Sequence, residues 1–347
     1  MSDNTLARMQ NQRSLNKDIG LAELDGFQLP RDVTVEFLNR MQKNVDLLDM
    51  VDVIPLARLE QDVPKLGVPR LSGGVRGEEE SRTEGSDVES GEVSFNATDR
   101  SYYILFEPKR DAIKNTHYGD DEWGNLIIDE FSQRFGNDIA IIGMRAGSAE
   151  APVEDITGTP TIDDRWDGWI ARAEGDADSD RIGLEDTDAA DTDSMPEYDN
   201  TDGAGEPQPV DTETFHGTIQ TLDSRYRNPD NVAFLINPDH VQQYEFDLTT
   251  REDGLGVAVL QGDTDVTPFD YDIVAISEWP VEYGMFTDPD NLAFGPYEEM
   301  ELDQTTDTDK VHEEKLHSRN WLEAQFDFQI KELQAGVLMT GLADPNA

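Results

Sequence analysis

The segment HEEKLH, from His312 to His317, contains the residue types that bind catalytic zinc in hydrolases. A zinc-binding helix of the HExxH type needs its second histidine four residues after the first, so that both rings face the same side. Here Leu316 occupies that position, and the second histidine comes one residue later. Since the two rings would diverge on a helix, and since the flanking pattern indicates a strand, we interpret both histidines as surface residues.

Two further segments begin like known binding motifs but lack residues that those motifs require. Residues 176–187, DADSDRIGLEDT, start like a calcium-binding loop, but Arg181 replaces its glycine and Thr187 its bidentate glutamate. The segment GLGVAV at Gly254 lacks the third glycine of a dinucleotide-binding fingerprint, and no predicted helix follows it. We therefore predict neither a dedicated calcium site nor a nucleotide site.

The remaining reactive residues do not form a catalytic set. His117, His216 and His240 are scattered along the chain, and no serine lies in a GxSxG context. The chain contains no cysteine, which excludes disulfides, thiolate zinc sites and a cysteine nucleophile. We predict no catalytic, cofactor-binding or metal-binding residues, no cofactor and no enzymatic activity.

The charge of the chain indicates a protein adapted to concentrated salt. It carries 75 acidic and 27 basic residues, a formal net charge of −48 over 347 residues, and its bases are eight lysines against nineteen arginines. The Debye length is about 10 Å at 0.1 M salt but about 3 Å at 1 M, so molar salt screens most of the resulting repulsion. Such a balance leaves no large basic face for nucleic acid. Neither a membrane span nor the apolar core of a signal peptide is apparent, and we expect a soluble protein made in the cytoplasm.

The densest acidic patch extends from Glu174 to Glu206, with thirteen carboxylates and one base, Arg181. Outside it, 62 acidic residues still face 26 basic ones (75 − 13 and 27 − 1), so the excess is spread over the whole chain. The patch is too polar to pack in a core, and we predict a surface insertion or flexible loop.

Hydrophobic spacing divides the first half of the chain into an arm, a helix and a long polar segment. Residues 1–17 lack periodicity and carry Arg8, Arg13 and Lys17 against a single acid, which indicates an extended arm. Apolar residues at spacings of three and four predict an amphipathic helix over TVEFLNRMQKNVDLLDMV, followed by a strand near Pro55. From Leu66 to Phe106 two apolar ends enclose a middle that is polar on both faces, so a hairpin formed there would need a partner surface outside its own domain.

The second half of the chain has α+β character. Residues 120–145 predict the longest helix, which Gly147 ends. We then predict a helix near Thr218 to Tyr226, a buried strand in NVAFLIN, a helix in PDHVQQYEF and short strands in DYDIVAIS, YGMFTDP and NLAFGPY. In NWLEAQFDFQIKEL polar and apolar residues alternate with a period of two, which predicts a strand with one polar and one apolar face.

This order of elements resembles the major capsid protein of tailed double-stranded-DNA viruses, the Hong Kong 97 (HK-97) fold, within it the branch of phage P-two. The resemblance covers residues 32–343. It rests on the segments FLNRMQKNVDLLDMVDVIPL, DDRWDGWIARA, NPDNVAFLINPDHVQQYEF, GMFTDPDNLAFGPYEEM and HSRNWLEAQFDFQIKELQAGVLM. Together with the acidic composition, it suggests a virus of a halophilic archaeon.

The resemblance implies an α+β, HK-97-like capsid fold with named regions. These are an N-terminal arm and first helix (1–55), an E-loop over a neighbouring subunit (56–107), a peripheral (P) domain with a spine helix and the acidic insertion (108–215), an axial (A) domain (216–296), and a return to the P domain with the C-terminus (297–347). Some members join an E-loop lysine to an asparagine of the next subunit, but Ser72 to Arg100 contain no lysine here, so that cross-link is not expected.

The function implied is structural. Subunits would assemble in the host cytoplasm into hexamers and pentamers of an icosahedral shell, the virion capsid, around the double-stranded DNA genome. The partners would be other copies of the chain, decoration and portal proteins, and DNA held without sequence-specific binding; no membrane is involved. Two alternatives stay open: an encapsulin-like cellular shell, and a halophilic hydrolase with a carboxylate-bound metal, which would need a compact set of acids near a histidine.

Overall fold

The computed structural model describes residues 46–67, 89–107, 109, 120–148, 153, 161–175, 194–249, 267–305, 308–316 and 318–346. The predicted arm over residues 1–17 and most of the predicted first helix lie outside these ranges; the helix is described only as Asp46–Met50. The calcium-like segment and the glycine segment at Gly254 also lie outside them. Within the described residues, no helix is both long and apolar enough to cross a membrane.

Six helices and twelve strands are described, which we number separately in chain order. The helices are α1 (Asp46–Met50), α2 (Asp120–Arg145), α3 (Trp169–Glu174), α4 (Thr212–Thr221), α5 (Pro238–Thr249) and α6 (Asp309–Glu313). The strands are β1 (Asp52–Val53), β2 (Glu60–Gly67), β3 (Glu89–Asn96), β4 (Ser101–Phe106), β5 (Glu197–Asp199), β6 (Ala233–Ile236), β7 (Asp272–Ala275), β8 (Gly284–Thr287), β9 (Leu292–Pro296), β10 (Glu301–Thr305), β11 (Arg319–Ile330) and β12 (Gly336–Thr340).

The chain divides into two compact units, and each is described by itself. The first comprises residues 1–45, 101–138 and 298–325. In it β4 and β10 flank the first half of β11, both antiparallel to it. The ring of Tyr102 packs against Phe135 of α2, with centroids 5.7 Å apart, so one face of this small sheet is covered by the helix.

The second unit comprises residues 46–100, 139–297 and 326–347, and it contains a mixed five-stranded sheet. The strand order is β5-β12-β8-β6-β7, with the two outer pairs parallel and the inner pairs antiparallel. Phe215 of α4 and Tyr244 of α5 pack against this sheet, where Phe234 stacks on Phe286 at 4.2 Å. The buried strand predicted in NVAFLIN and the helix after it are confirmed as β6 and α5.

A second layer of this unit joins the last part of β11 to β9 and β1. Strand β9 is antiparallel to residues 326–330 of β11 and parallel to β1. Trp166 stacks on Phe326 and Trp169 meets the edge of Phe328, at 5.2 Å and 5.1 Å between centroids. This aromatic layer is the second core of the unit.

The long helix is where the sequence predicts it. Helix α2 spans 26 residues, and its apolar positions Phe135, Ile139 and Ile142 are buried. Gly147 follows in the left-handed region at φ 76°, and its N–H donates to Asp163 at 2.9 Å. The predicted C-terminal stop is therefore confirmed.

Three predictions about local structure are wrong. The helix expected near Thr218 to Tyr226 begins at Thr212 instead, because Asp211 and Thr214 form a capping box that satisfies the free N–H groups of the first turn. His312 lies on the short helix α6 and not in a strand.

The third correction concerns the acidic patch. Its last part is not an unpacked insertion, because Met195 is buried and Glu197–Asp199 forms β5, which is parallel to β12 in the central sheet. The larger part, residues 176–193, lies outside the described residues.

Candidate functional site

The long polar segment contains a hairpin whose described part is regular. Strands β2 and β3 are eight residues each and pair antiparallel, from Glu60 opposite Asn96 to Gly67 opposite Glu89. The intervening residues 68–88 lie outside the described ranges. The strands begin six residues before the expected Leu66, and the pairing itself agrees with the prediction of a hairpin.

Apolar contacts hold the base of this hairpin. Phe95 and Leu56 are buried in a small cluster, with Val63 and Val93 packed against it. Gly295 on β9 allows Phe95 to approach, because a Cβ there would lie 2.6 Å from the phenyl ring. The apolar ends of the segment therefore serve as its attachment to the unit.

A buried carboxylate forms a second attachment at the same place. Asp327 of β11 is completely buried; its Oδ2 accepts the backbone N–H of Asn96 at 2.9 Å, and its Oδ1 accepts a hydrogen bond from Arg100, which is 2% exposed. Arg172 of α3 lies 3.4 Å from the same Oδ1. Gln329, two residues along β11, donates to the carbonyl of Ser94 at 2.6 Å.

The turn that follows the hairpin is fixed as well. Asp99 adopts a left-handed backbone at φ 60°, and Arg165 donates to its carbonyl oxygen at 2.6 Å. Arg165 and Arg172 both belong to the segment DDRWDGWIARA, so residues that carry part of the family resemblance take part in this attachment. Gly168 in that segment leaves no room for a side chain, because a Cβ would lie 2.6 Å from the carbonyl oxygen of Gly143.

Sequence reasoning missed Asp327 and Arg100 as functional candidates. The period of two places Asp327 on the polar face of β11, which predicts solvent exposure, and the first half of the strand does alternate between buried and half-exposed residues. At residues 326–328 all three are buried. The only available signal was a charged residue between two phenylalanines, Phe326 and Phe328.

The outward face of the first unit's sheet carries exposed aromatic and apolar side chains. Tyr103 and Leu105 of β4 are 41% and 38% exposed, and Tyr103 stacks on Trp321 at 4.3 Å. Beyond this face Glu107 pairs with Lys310 and Arg319, and the hydrogen bond from Lys310 is the main cause that lowers the pKa of Glu107. An exposed face of this kind is typical of a contact surface.

The second unit exposes two further large apolar residues. Phe246 of α5 is 63% exposed and Phe269 is 50% exposed. Phe269 also has a left-handed backbone, at φ 56° and ψ 36°, which is rare for a bulky side chain. Both residues border residues 250–266, which lie outside the described ranges.

The histidines do not assemble a reactive site in the described part of the chain. His312 and His216 are exposed on α6 and α4, and His117 and His317 lie outside the described residues. His240 is fully buried, with its Nε2 2.6 Å from the carbonyl oxygen of Val281, and burial lowers its pKa. Among the described residues, no group of three histidine or acidic side chains could hold a metal ion.

Solved structures share this architecture across almost the whole chain. A chain from the satellite phage P4 procapsid, a particle that includes the size-determination protein, has a TM-score of 0.65 and 14% identity, covering 99% of this chain and 98% of that chain. A chain of the cyanophage A-1(L) capsid has a TM-score of 0.56 and 12% identity, covering 92% and 94%. A chain of the native GTA particle capsid has a TM-score of 0.54 and 12% identity, covering 86% and 91%.

No protein-family model and no curated protein matches the sequence. At these identities the structural likeness defines the fold alone. The chain has the mixed α and β fold of HK-97-type capsid subunits, and the predicted fold class is confirmed.

Proposed function

We propose that this chain is the major capsid subunit of a tailed double-stranded-DNA virus. Copies of it would form hexamers and pentamers that close into an icosahedral shell around the genome. The observation that carries the proposal is the likeness to the P4 procapsid chain over 99% of this chain. The placement near the branch of phage P-two rests on the sequence segments that resemble that branch, such as DDRWDGWIARA.

The regions of the fold are assigned accordingly. The β2–β3 hairpin is the E-loop, and α2 is the spine helix of the P domain. Residues 216–296 are the A domain, which contains the exposed Phe246 and Phe269. Residues 1–55 are the arm and first helix, and residues 297–347 return to the P domain. The exposed face around Tyr103 and Trp321 supports this assignment, because a shell subunit must present contact surfaces to other copies.

The net charge of −48 supports a high-salt habitat and hence a haloarchaeal host. In dilute buffer, assembly would bring many carboxylate-bearing surfaces within one Debye length of each other, while molar salt removes most of this repulsion. DNA inside such a shell would be held without sequence-specific contacts, and decoration and portal proteins would be further partners. The chain would reside in the virion after assembly in the host cytoplasm, and it would have no enzymatic role.

Electron microscopy and sedimentation of the purified protein test the proposal. At about 3 M KCl, where the Debye length is below about 3 Å, we expect closed particles of uniform diameter. A chain that stays monomeric or dimeric at every salt concentration would overturn it.

A variant with a shortened hairpin tests whether the hairpin is needed for assembly. Replacing residues 66–90 with Asn-Gly joins Lys65 to Gly91, which already face each other in the register, through the two-residue turn that antiparallel strands favour. The variant keeps the apolar base and the Asp327 attachment, so we expect an unchanged melting temperature and no particles. Particles of normal yield from this variant would show that the hairpin is not an assembly element.

A further inference from the structure

Two points of contact, two residues apart, fix the hairpin to β11. Asn96 of β3 donates its backbone N–H to Asp327, and the carbonyl of Ser94 accepts from Gln329. A single contact would leave the hairpin free to rotate about it, but two contacts along the same pair of strands define a direction. The exit from the hairpin is held too, because Arg100 pairs with the other oxygen of Asp327.

These polar contacts differ in kind from the apolar base. The apolar cluster stabilises the contact but does not fix the orientation of the hairpin, because the hydrophobic effect depends on buried area and not on direction. Its members are Leu56, Phe95, Ala97 and Ala293. Hydrogen bonds to a carboxylate depend on distance and angle, and those to a charged group are the stronger ones. A tilt of the hairpin could therefore keep much of the apolar contact while breaking the bonds to Asp327.

Burial makes this attachment difficult to replace. Asp327 is 0% exposed and Arg100 is 2% exposed, so water cannot substitute for a lost partner without entering the core. A buried charge whose partner is removed is strongly unfavourable. Tilted orientations of the hairpin therefore have a higher free energy than the orientation in which all these bonds are made.

The geometry points to Asp327 as the positioning residue of the β2–β3 hairpin. Its carboxylate sets the direction in which the hairpin leaves its unit and so presents it to the next copy of the chain, an inference that rests on the proposed function. Asp327 does this through Asn96 and Arg100, without contacting the other copy itself.

Hydrogen exchange of the free subunit, read beside particle yield, tests this role. In Asp327→Asn we expect the amide of Asn96 to exchange at least about ten-fold faster, as the loss of a charge-assisted bond implies, with particle yield falling by a similar factor. The amide of Leu338 in the central sheet, which donates to the carbonyl of Pro196 at 2.8 Å, should keep its exchange rate. Glu301→Gln, an equal change of charge on an exposed strand residue, should leave both exchange rates and the yield unaltered.

Three results would overturn the inference. They are an unchanged rate at Asn96, an equal acceleration at Asn96 and Leu338, and a normal particle yield despite a mobile hairpin. If Asp327→Asn does not fold, Gln329→Ala removes the hydrogen bond from this side chain to the carbonyl of Ser94 and its 3.3 Å bond to Oδ2 of Asp327, while the carboxylate and Arg100 remain. A smaller acceleration confined to β3 is then expected. If the unmodified chain forms no particles, the proposed function fails, while the exchange data still decide whether Asp327 fixes the hairpin.

Discussion

The hydroxyl of Tyr102 on β4 donates a hydrogen bond of 3.0 Å to the carboxylate of Asp138 on α2. Burial raises the pKa of Asp138, and the hydrogen bond from Tyr102 and the charge of Arg134 oppose that rise. The bond therefore joins the sheet of the first unit to its helix through a half-buried carboxylate.

Removing the Tyr102 hydroxyl should destabilise the protein. In Tyr102→Phe we expect the free energy of unfolding at neutral pH to fall by about 1–2 kcal/mol, because a partly buried carboxylate loses a donor. The pKa of Asp138 should rise further, which carboxyl-resolved NMR titration would detect. An unchanged pKa would show that Tyr102 does not act on the charged form.

The matched change on the other partner should behave differently. Asp138→Asn can still accept from Tyr102 and avoids the desolvation of a charge, so we expect the stability at pH 7 to be equal or higher. The sign follows from the raised folded-state pKa: the folded protein binds more protons between the unfolded value, about 4, and the folded one, so Asp138 makes stability fall as pH rises through that window. Denaturant unfolding across pH 4–7 should show this slope in the parent and not in Asp138→Asn.

His240 should give the opposite dependence on pH. Its pKa in the folded protein is lowered by burial, so below the unfolded value of about 6.5 the unfolded chain binds a proton that the folded chain does not. The contribution of His240 to the free energy of unfolding is complete above that pH. It is lost as the pH falls, by up to about 1.4 kcal/mol per pH unit. We expect His240→Gln to weaken the dependence of the free energy of unfolding on pH below about 6.5, which denaturant unfolding at a series of pH values would measure. An unchanged dependence would contradict the role of His240.

Gly168 is required for packing. Its backbone is ordinary for any residue, at φ −72° and ψ 176°, but a Cβ would lie 2.6 Å from the carbonyl oxygen of Gly143. We expect Gly168→Ala to lower the free energy of unfolding by about 1–3 kcal/mol, the usual range for overpacking. Gly203→Ala is the control, since nothing lies within 4 Å of its added methyl group. Equal melting temperatures of the two variants would contradict the close approach.

Salt removal should separate subunits before it unfolds them. Assembly brings many like charges together at once, whereas a single subunit keeps them spread over its surface. We would follow light scattering and circular dichroism during dialysis from about 3 M to about 0.1 M KCl, where repulsion between charges reaches about 10 Å. Light scattering should fall while circular dichroism stays constant. Particles that persist for days at the lower salt, without divalent cations, would contradict this expectation.

We expect that residues 176–193 of the acidic patch can be deleted without loss of stability, whereas the buried Met195 near its end cannot be replaced by a charged residue. The chain leaves at Gly175 and returns at Ser194, where a Cβ on the glycine would lie 2.9 Å from that of the serine, so a short linker can replace residues 176–193. We expect that variant to melt normally. Met195→Asp, which places a charge in a buried position, should melt several degrees lower because an unpaired charge is buried.

Local patterns in the sequence predicted much of the fold. The helical spacing of Phe135, Ile139 and Ile142 identified α2, and the period of two identified β11. The start of α4 also has a local signal, since Asp211 and Thr214 stand at the spacing of a capping box. Each of these signals lies within a few residues of the element that it specifies.

The attachment of the hairpin could not be predicted in this way. Asp327 is buried by Asn96 and Arg100, which lie 231 and 227 residues away along the chain. Strand β5 could not be predicted from its own residues either, because it forms by pairing with β12, which lies far away in the sequence. Contacts of such separation leave no periodic trace in the sequence.

The burial of Arg100 and Asp327 divides the electrostatics of the chain into two regimes. Ions in solution reach the surface carboxylates but not this pair, so dilution strengthens repulsion outside while the internal bonds stay nearly constant. A subunit released in dilute buffer would therefore retain its assembled geometry. Disassembly at low salt then becomes reversible without refolding. When the salt is restored, particles should form again at the same salt concentrations at which they came apart, because the hairpin has kept its orientation.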